Sequence, residues 1–366
     1  MTLSPIFELK SFAELPGWKA DRKAAAFAAF RRSAFRIHVK PYRTGSLGVD
    51  AEAFAAAYEA ARCLEAPDDA EAGAFFEHHF VPAFVRPAEG SGFVTGFYEP
   101  EVEASPFRTA RHGVPLLARP DDLVDIDDTN RPDGMDPSFT FGRRTRDGIA
   151  PYFDRGEIER GALADRDLAL AWLSDPVDAF IIHVQGAARL RMTDGRLLRV
   201  TYAAKTGHPF TGAGRVLVEL GELALEKVTM QSIRAWLRDH PERVNEILWR
   251  NRSYIFFRQA DVDDPALGPI AAAKVPLTPG RSIAVDRLLH TFGTPFFVDA
   301  PRLTAFDGEP FRRLMIAQDT GSAILGPARG DLFAGSGAAA GDIAGVVRHS
   351  ADFYALLPRP LVEAGR

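Results

Sequence analysis

Three aspartates, Asp319, Asp331 and Asp342, lie in one glycine-dense stretch near the C-terminus of a 366-residue chain, with Arg329 as the only cation between them. Acid catalysis at a sugar linkage needs a carboxyl that keeps its proton near neutral pH. Burial and a neighbouring like charge both raise a carboxyl pKa, so three aspartates converging on one site would supply that condition. The glycines between them permit turns with positive φ and let a bulky substrate approach the backbone. Asp319 closely follows the apolar run 314–317 and is expected at a strand end. Asp331 is followed by Leu332 and Phe333, which draw it toward a packed wall, and Asp342 precedes Ile343-Ala-Gly-Val-Val347. A plainer role stands beside this one. Aspartate is a common turn and cap residue, and Asp319-Thr-Gly and Gly341-Asp342 fit that role.

The elements that must position these acids change character along the chain. The first ninety residues read as helical: Ala24, Ala25, Phe27, Ala28, Phe30 and Phe35 recur near helical spacing, as do Phe54, Ala57, Tyr58 and Ala61, and Phe75, Phe76, Phe80 and Phe84, until Pro82 and Pro87 break the pattern. A short strand over 92–98 follows. From 101 to 259 come short strand-like runs, at 114–117, 179–184, 197–203 and 255–257, with turns at 131–134, Asp194-Gly195 and Gly212-Ala-Gly214. Two helices, 230–240 and 242–251, interrupt this block. After Gln259 the texture is β: Val275 and Leu277, Ile283 and Val285, 296–298 and 314–317 are strand candidates. The stretch from Gly321 to Gly345 is too rich in glycine to be regular helix or strand throughout.

Composition excludes several classes. The net charge of −5 argues against a nucleic-acid partner. The one cysteine, Cys63, sits in an alanine-rich amphipathic run and is expected to be a buried structural thiol; with no second cysteine there is no disulfide or Cys/His zinc site. No stretch approaches the ~20 apolar residues that span a bilayer, and the N-terminal residues lack the basic and apolar regions of a signal peptide.

The residues around the acids resemble the membrane-bound lytic murein transglycosylase A family, including its C-terminal 3D domain. The matches run in order along nearly the whole chain: Phe12-Ala-Glu-Leu-Pro-Gly-Trp18, Thr95-Gly-Phe-Tyr-Glu-Pro100, His183-Val-Gln-Gly186, Tyr202-Ala-Ala-Lys-Thr-Gly-His208, Met230-Gln-Ser-Ile, Asn251-Arg-Ser-Tyr-Ile-Phe-Phe257, Val275-Pro-Leu277 and the segment from Asp319 to Gly345. Each is weak alone, and their collinear sum is specific. The resemblance implies a mainly β fold with helices (α+β). A double-ψ β-barrel domain would be built from 1–100 and 260–366, a second β-barrel domain of 101–259 would be inserted, and a substrate groove would lie between them.

It further implies cleavage of the bond between N-acetylmuramic acid and N-acetylglucosamine in peptidoglycan glycan strands, leaving a 1,6-anhydro end without consuming water. Asp331 matches the single acid/base; Asp319 and Asp342 would support it. Thr95, Tyr98, Gln185, Gly186, Lys205 and His208 would bind substrate. No cofactor and no metal are implied. Cell-wall synthesis or division proteins would be candidate partners, and the implied location is the periplasm or outer membrane. Three departures stand out. The stretch from Asp319 to Asp331 is one residue longer than the family form, Cys63 is wrongly placed for lipidation, and Glu99 and Glu101 add acid beside Tyr98. Plainer roles remain open: Tyr98 as a core aromatic, His183 as a satisfied structural histidine, His208 as a turn end, Gly186 as a bulge, and Glu99 and Glu101 as solvated charges.

Other chemistries compete. A lysozyme-like hydrolase would pair Asp331 with Asp319 or Glu99 as base or nucleophile. A non-catalytic wall-binding protein would need the binding residues without a protonated acid. A metal enzyme would use the three aspartates as oxygen ligands, although their wide spacing resembles no compact cation loop.

Overall fold

A computed structural model of the chain describes residues 3–363. The fold is mixed, mostly sheet with helices, as the α+β expectation held. It divides into two compact units, Met1–Tyr98 with Val262–Arg366, and Glu99–Asp261.

Among the described residues of the first unit, nine strands form one sheet. Their order is Phe7–Leu9, Phe80–Val85, Asp352–Pro358, Pro295–Ala300, Phe311–Asp319, Ser282–Val285, Arg329–Ser336, Phe93–Glu99 and Arg348–Ser350. No ladder joins the two edge strands among these residues, so barrel closure is not a property of this hydrogen-bond pattern. Three helices, Ala24–Arg36, Ala55–Cys63 and Asp69–His79, cover the sheet. The first buries Ala26, Phe27, Ala29, Phe30, Ser33 and Ala34, the i, i+3, i+4, i+7 stripe of a core-facing helix. Phe27, Phe30, Tyr58, Phe75, Phe76 and Phe80 stack edge and face around it.

Two expectations for this region are corrected. The third helix, opened by an Asp68–Glu71 capping box, ends at His79, so Phe80 and Phe84 belong to a strand paired with Asp352–Pro358. Cys63 is exposed. It lies off the Ala57–Tyr58–Ala61 face that its helix buries, so the alanine-rich context misstates its environment.

The second unit holds a four-stranded sheet in the order Ile255–Gln259, Leu197–Lys205, Ala187–Met192 and Glu101–Ala104, with a two-stranded and a three-stranded sheet beside it. Residues 179–184 are helical rather than a strand, within Pro176–Gln185. An unbroken apolar run does not separate the two periods, but the flanks do. Asp175 accepts the Val177 N–H at 2.7 Å, Pro176 opens the first turn, and Gly186 closes the helix at φ 75°. Gly212 and Gly214 likewise open a helix, Ala213–Glu219, instead of making a turn. Of the two helices foreseen downstream, the first spans Met230–Asp239 and the second shortens to Val244–Leu248. Among the described residues no helix is long and apolar enough to cross a membrane.

Candidate active site

The sheet of the first unit places two of the three aspartates in one row. Ala284 pairs with Asp319 in the parallel direction and with Asp331 in the antiparallel direction. Asp319 and Asp331 therefore flank one alanine across three adjacent strands, ~10 Å apart at Cα by two strand spacings. Residues paired across a sheet share a face, so Asp319, Ala284 and Asp331 share theirs.

Alternation fixes which face this is. Val94, Ile283 and Leu332 enter the main core, whereas Phe97, Ala284 and Phe333 form a separate small cluster with Leu277. The Phe97 and Phe333 rings meet at 5.2 Å. Gly268 leaves room for the Phe333 ring; a Cβ there would come within 2.2 Å of it. Thr95 and Asp331 stand two residues before these phenylalanines on their strands, beside an apolar floor.

Asp331 is half-buried, and burial pushes its carboxyl above the ordinary aspartate value. The Thr95 hydroxyl, which donates to Oδ1 at 2.6 Å, and the Arg329 guanidinium oppose that rise. Arg329 Nη2 in turn donates to Thr95 Oγ1 at 2.8 Å and lies over the Phe93 ring. Asp319 ends its strand, as expected. Its carboxyl is pushed up to about 6, chiefly by burial and also by the Asp331 charge; the backbone N–H groups of Thr320 and Ala272 and the Lys274 charge pull the other way. The Ala272 N–H donates to Asp319 Oδ1 at 3.2 Å. The preceding residue anchors the strand end. Gln318 is fully buried, donates to Ala29 O and Ser33 Oγ of the first helix, and accepts from Ser282 Oγ at 2.7 Å.

Asp342 is placed differently. It lies inside the helix Ala338–Val346 and is exposed, so the turn or cap role is corrected. That helix seats on the Thr95 strand through glycines. A Cβ at Gly96 would meet Ala344 Cα at 2.9 Å, and one at Gly341 would meet the Tyr98 ring at 2.9 Å. Gly341 thus serves helix packing, and Tyr98 is a partly buried aromatic against Ala334, Ala340 and Ala344. Sequence reasoning passed over Asp286. It is 8% exposed, and its carboxylate accepts the Gly326 N–H at 2.9 Å and the Leu288 N–H at 3.1 Å. It pins the loop that joins the two acid-bearing strands. Its position just past an apolar strand run was the available signal.

The remaining expected site residues lie in the second unit. Gln185 ends the Pro176–Gln185 helix, and Gly186 is its left-handed cap rather than a bulge; Gly186 O accepts the Tyr202 N–H at 2.8 Å. That bond ties the helix end to the strand that ends at Lys205. Lys205 is half-buried, and burial lowers its ammonium pKa. His208 is buried against Phe139 with Nε2 2.8 Å from Tyr152 O, and burial lowers its pKa too. His183 is 5% exposed and packed on Tyr254 and Phe257. Among the described residues neither ring nitrogen has a hydrogen-bond partner, so a structural histidine is present but not a satisfied one. Burial holds it well below the usual histidine value, as a neutral ring.

Glu99 is not a solvated charge. It is fully buried and accepts from Arg189 Nε at 2.8 Å and Arg199 Nη2 at 3.4 Å, whereas Glu101 is a surface partner of Arg191. Among the described residues no three His, Cys, Asp or Glu side chains are grouped to hold a metal ion.

The chain is similar to several known proteins. Residues 93–258 match the model of the MltA specific insert domain, and 281–357 match that of the 3D domain. A membrane-bound lytic murein transglycosylase from Agrobacterium tumefaciens is 51% identical, with 98% of this chain and 99% of that chain covered at a TM-score of 0.93. E. coli MltA with bound chitohexaose is 26% identical, with 98% and 96% covered at a TM-score of 0.68. The membrane-bound lytic murein transglycosylase A of E. coli K12 is 36% identical over 212 residues; the match spans about half the length of each, 56% of this chain and 56% of that relative.

Proposed function

This chain belongs to the membrane-bound lytic murein transglycosylase A family, and from that premise we propose that it cleaves peptidoglycan glycan strands with Asp331 as sole acid and base. The observation that carries the assignment is the Asp331 carboxyl itself. It stands beside an apolar floor, is raised by burial, and is held at one oxygen by the Thr95 hydroxyl. A carboxyl in that setting keeps its proton to higher pH than an ordinary aspartate, as a general acid must.

In the proposed reaction, Asp331 gives its proton to the glycosidic oxygen between muramic acid C1 and the next sugar, and the C1–O bond breaks. The C6 hydroxyl of the same muramic acid bonds to C1 and returns its proton to Asp331. One 1,6-anhydro end forms, one sugar hydroxyl is freed, the carboxyl is regenerated and no water enters. The commitment of Asp319 to the Ala272 and Thr320 N–H groups supports a single-carboxyl mechanism, because a second base or nucleophile would have to leave those donors. Asp319 and Asp286 are assigned to holding the strand end and the intervening loop. Thr95 orients the acid, and Lys205, Gln185 and the Gly186 turn are assigned to glycan contacts. Binding of chitohexaose, a β-linked N-acetylglucosamine oligomer, by the E. coli relative supports a glycan ligand. The description of relatives as membrane-bound supports a place in the cell envelope.

The test uses Asp331→Asn on purified sacculi. Expected is at least ~10³-fold loss of soluble product, within the range that acid–base groups supply, with sacculus binding retained. Parent product masses should match anhydro ends. Masses one water heavier would favour the two-carboxylate hydrolase, and near-parent turnover by the variant would remove Asp331 from the acid role.

A further inference from the structure

We propose that Arg329 is a positioning residue that acts on Asp331 through the Thr95 hydroxyl, fixing which carboxyl oxygen carries the acidic proton. The inference rests on the assignment of Asp331 as the acid. A guanidinium has only donors, and a threonine hydroxyl has one hydrogen and acceptor lone pairs. Arg329 Nη2 donates to Thr95 Oγ1 at 2.8 Å and takes one of its two lone pairs, and the guanidinium charge turns the hydroxyl hydrogen away from itself, toward Asp331 Oδ1 at 2.6 Å. A neutral carboxyl has one O–H. With Oδ1 accepting from Thr95, the proton resides on Oδ2, free of the Thr95 contact and available for transfer.

Without Arg329 the hydroxyl can turn and accept the carboxyl proton instead. The acid then spends its proton on Thr95 and is idle toward substrate. Arg329 is itself held for the task. Its Nη1 donates to Gly330 O, and its plane lies over the Phe93 ring, 5.5 Å from the centroid. Arg329 and Asp331 stand two apart on one strand, and Thr95 faces both from the neighbouring strand. The other charged groups around this point are Asp319 in the same row, Lys274 near Asp319, Arg348 paired across from Thr95, and exposed Asp342 on the helix seated above that strand.

Arg329→Met removes both charge and donors, and is assayed on a soluble N-acetylglucosamine–N-acetylmuramic acid oligomer by anhydro product mass. The plateau kcat is expected to fall about tenfold, a part of the ~10²–10⁴-fold that positioned proton transfer supplies, with KM within about twofold. Because the active form is the protonated acid and a cation lowers a carboxyl pKa, the fall of kcat at high pH should move to higher pH. Thr95→Val should lower the plateau similarly, and adding Arg329→Met to it should cost at most a further ~twofold, as expected for residues acting in series. Arg329→Lys should recover most of the plateau lost in Arg329→Met, and Thr95→Ser most of that lost in Thr95→Val.

A change confined to KM, multiplying losses in the double variant, or an unmoved pH profile would each overturn the relay. Retained turnover in Asp331→Asn would instead overturn the underlying acid assignment, whatever the Arg329 variants do.

Discussion

Asp319 sets stability against pH in a direction opposite to most aspartates. Its folded carboxyl lies at about 6 against an ordinary value of 3.8. Below pH 3.8 both folded and unfolded chains hold the proton, and the group is neutral in each. Between about 4 and 6 the folded state keeps a proton that the unfolded state has lost, so stability falls as pH rises. Above that window the penalty is constant. The span 6 − 3.8 is 2.2 units, which at ~1.36 kcal/mol per unit gives about 3 kcal/mol. Asp319 is partly open to solvent, so screening trims this to ~1.5–3 kcal/mol.

Asp319→Asn removes the charge and keeps an oxygen for the Ala272 N–H. The variant should match the parent at pH 4, and its advantage should grow through pH 6 to ~1.5–3 kcal/mol at pH 8. Urea unfolding of parent and variant, followed by circular dichroism at each half pH unit from 4 to 8, measures the difference directly. A difference independent of pH, or a variant less stable at pH 8, would refute the reasoning, since either means that hydrogen bonding at Asp319 outweighs its desolvation.

The buried and surface acids at the start of the second unit should separate sharply. Glu99→Ala strands two guanidiniums and should cost ~3–5 kcal/mol in urea unfolding, whereas Glu101→Ala, a surface pair, should cost under ~1 kcal/mol; equal effects would sink the distinction. Gly330→Ala would put a Cβ 2.5 Å from Ile283 Cδ1 on the core face and should cost ~1–3 kcal/mol by overpacking, with a variant as stable as the parent in thermal unfolding as the contrary result.

Local patterning fixed the stripe of the Ala24–Arg36 helix, the strand end at Asp319 and the wall beside Asp331, because each depends on residues within one element, whereas the α+β class came from the collinear family resemblance. The helix at 179–184 was also legible, since Asp175, Pro176 and Gly186 mark its ends; the apolar run between them masked it. Collinear motifs picked out Asp331, Thr95 and Lys205 without revealing what touches them.

Only tertiary pairing decided the rest. The row of Asp319, Ala284 and Asp331 exists because one strand pairs in parallel on one side and antiparallel on the other. Pairing also set apart Asp342, which looks like its fellows in sequence but is carried outward by a helix, and drew in Asp286, which looks like a turn residue but pins the loop between the acids. The state of a carboxyl depends on burial and on neighbours brought from 236 residues away, as Thr95 is to Asp331. Spacing along a chain encodes neither, since desolvation and hydrogen bonding belong to the folded surroundings.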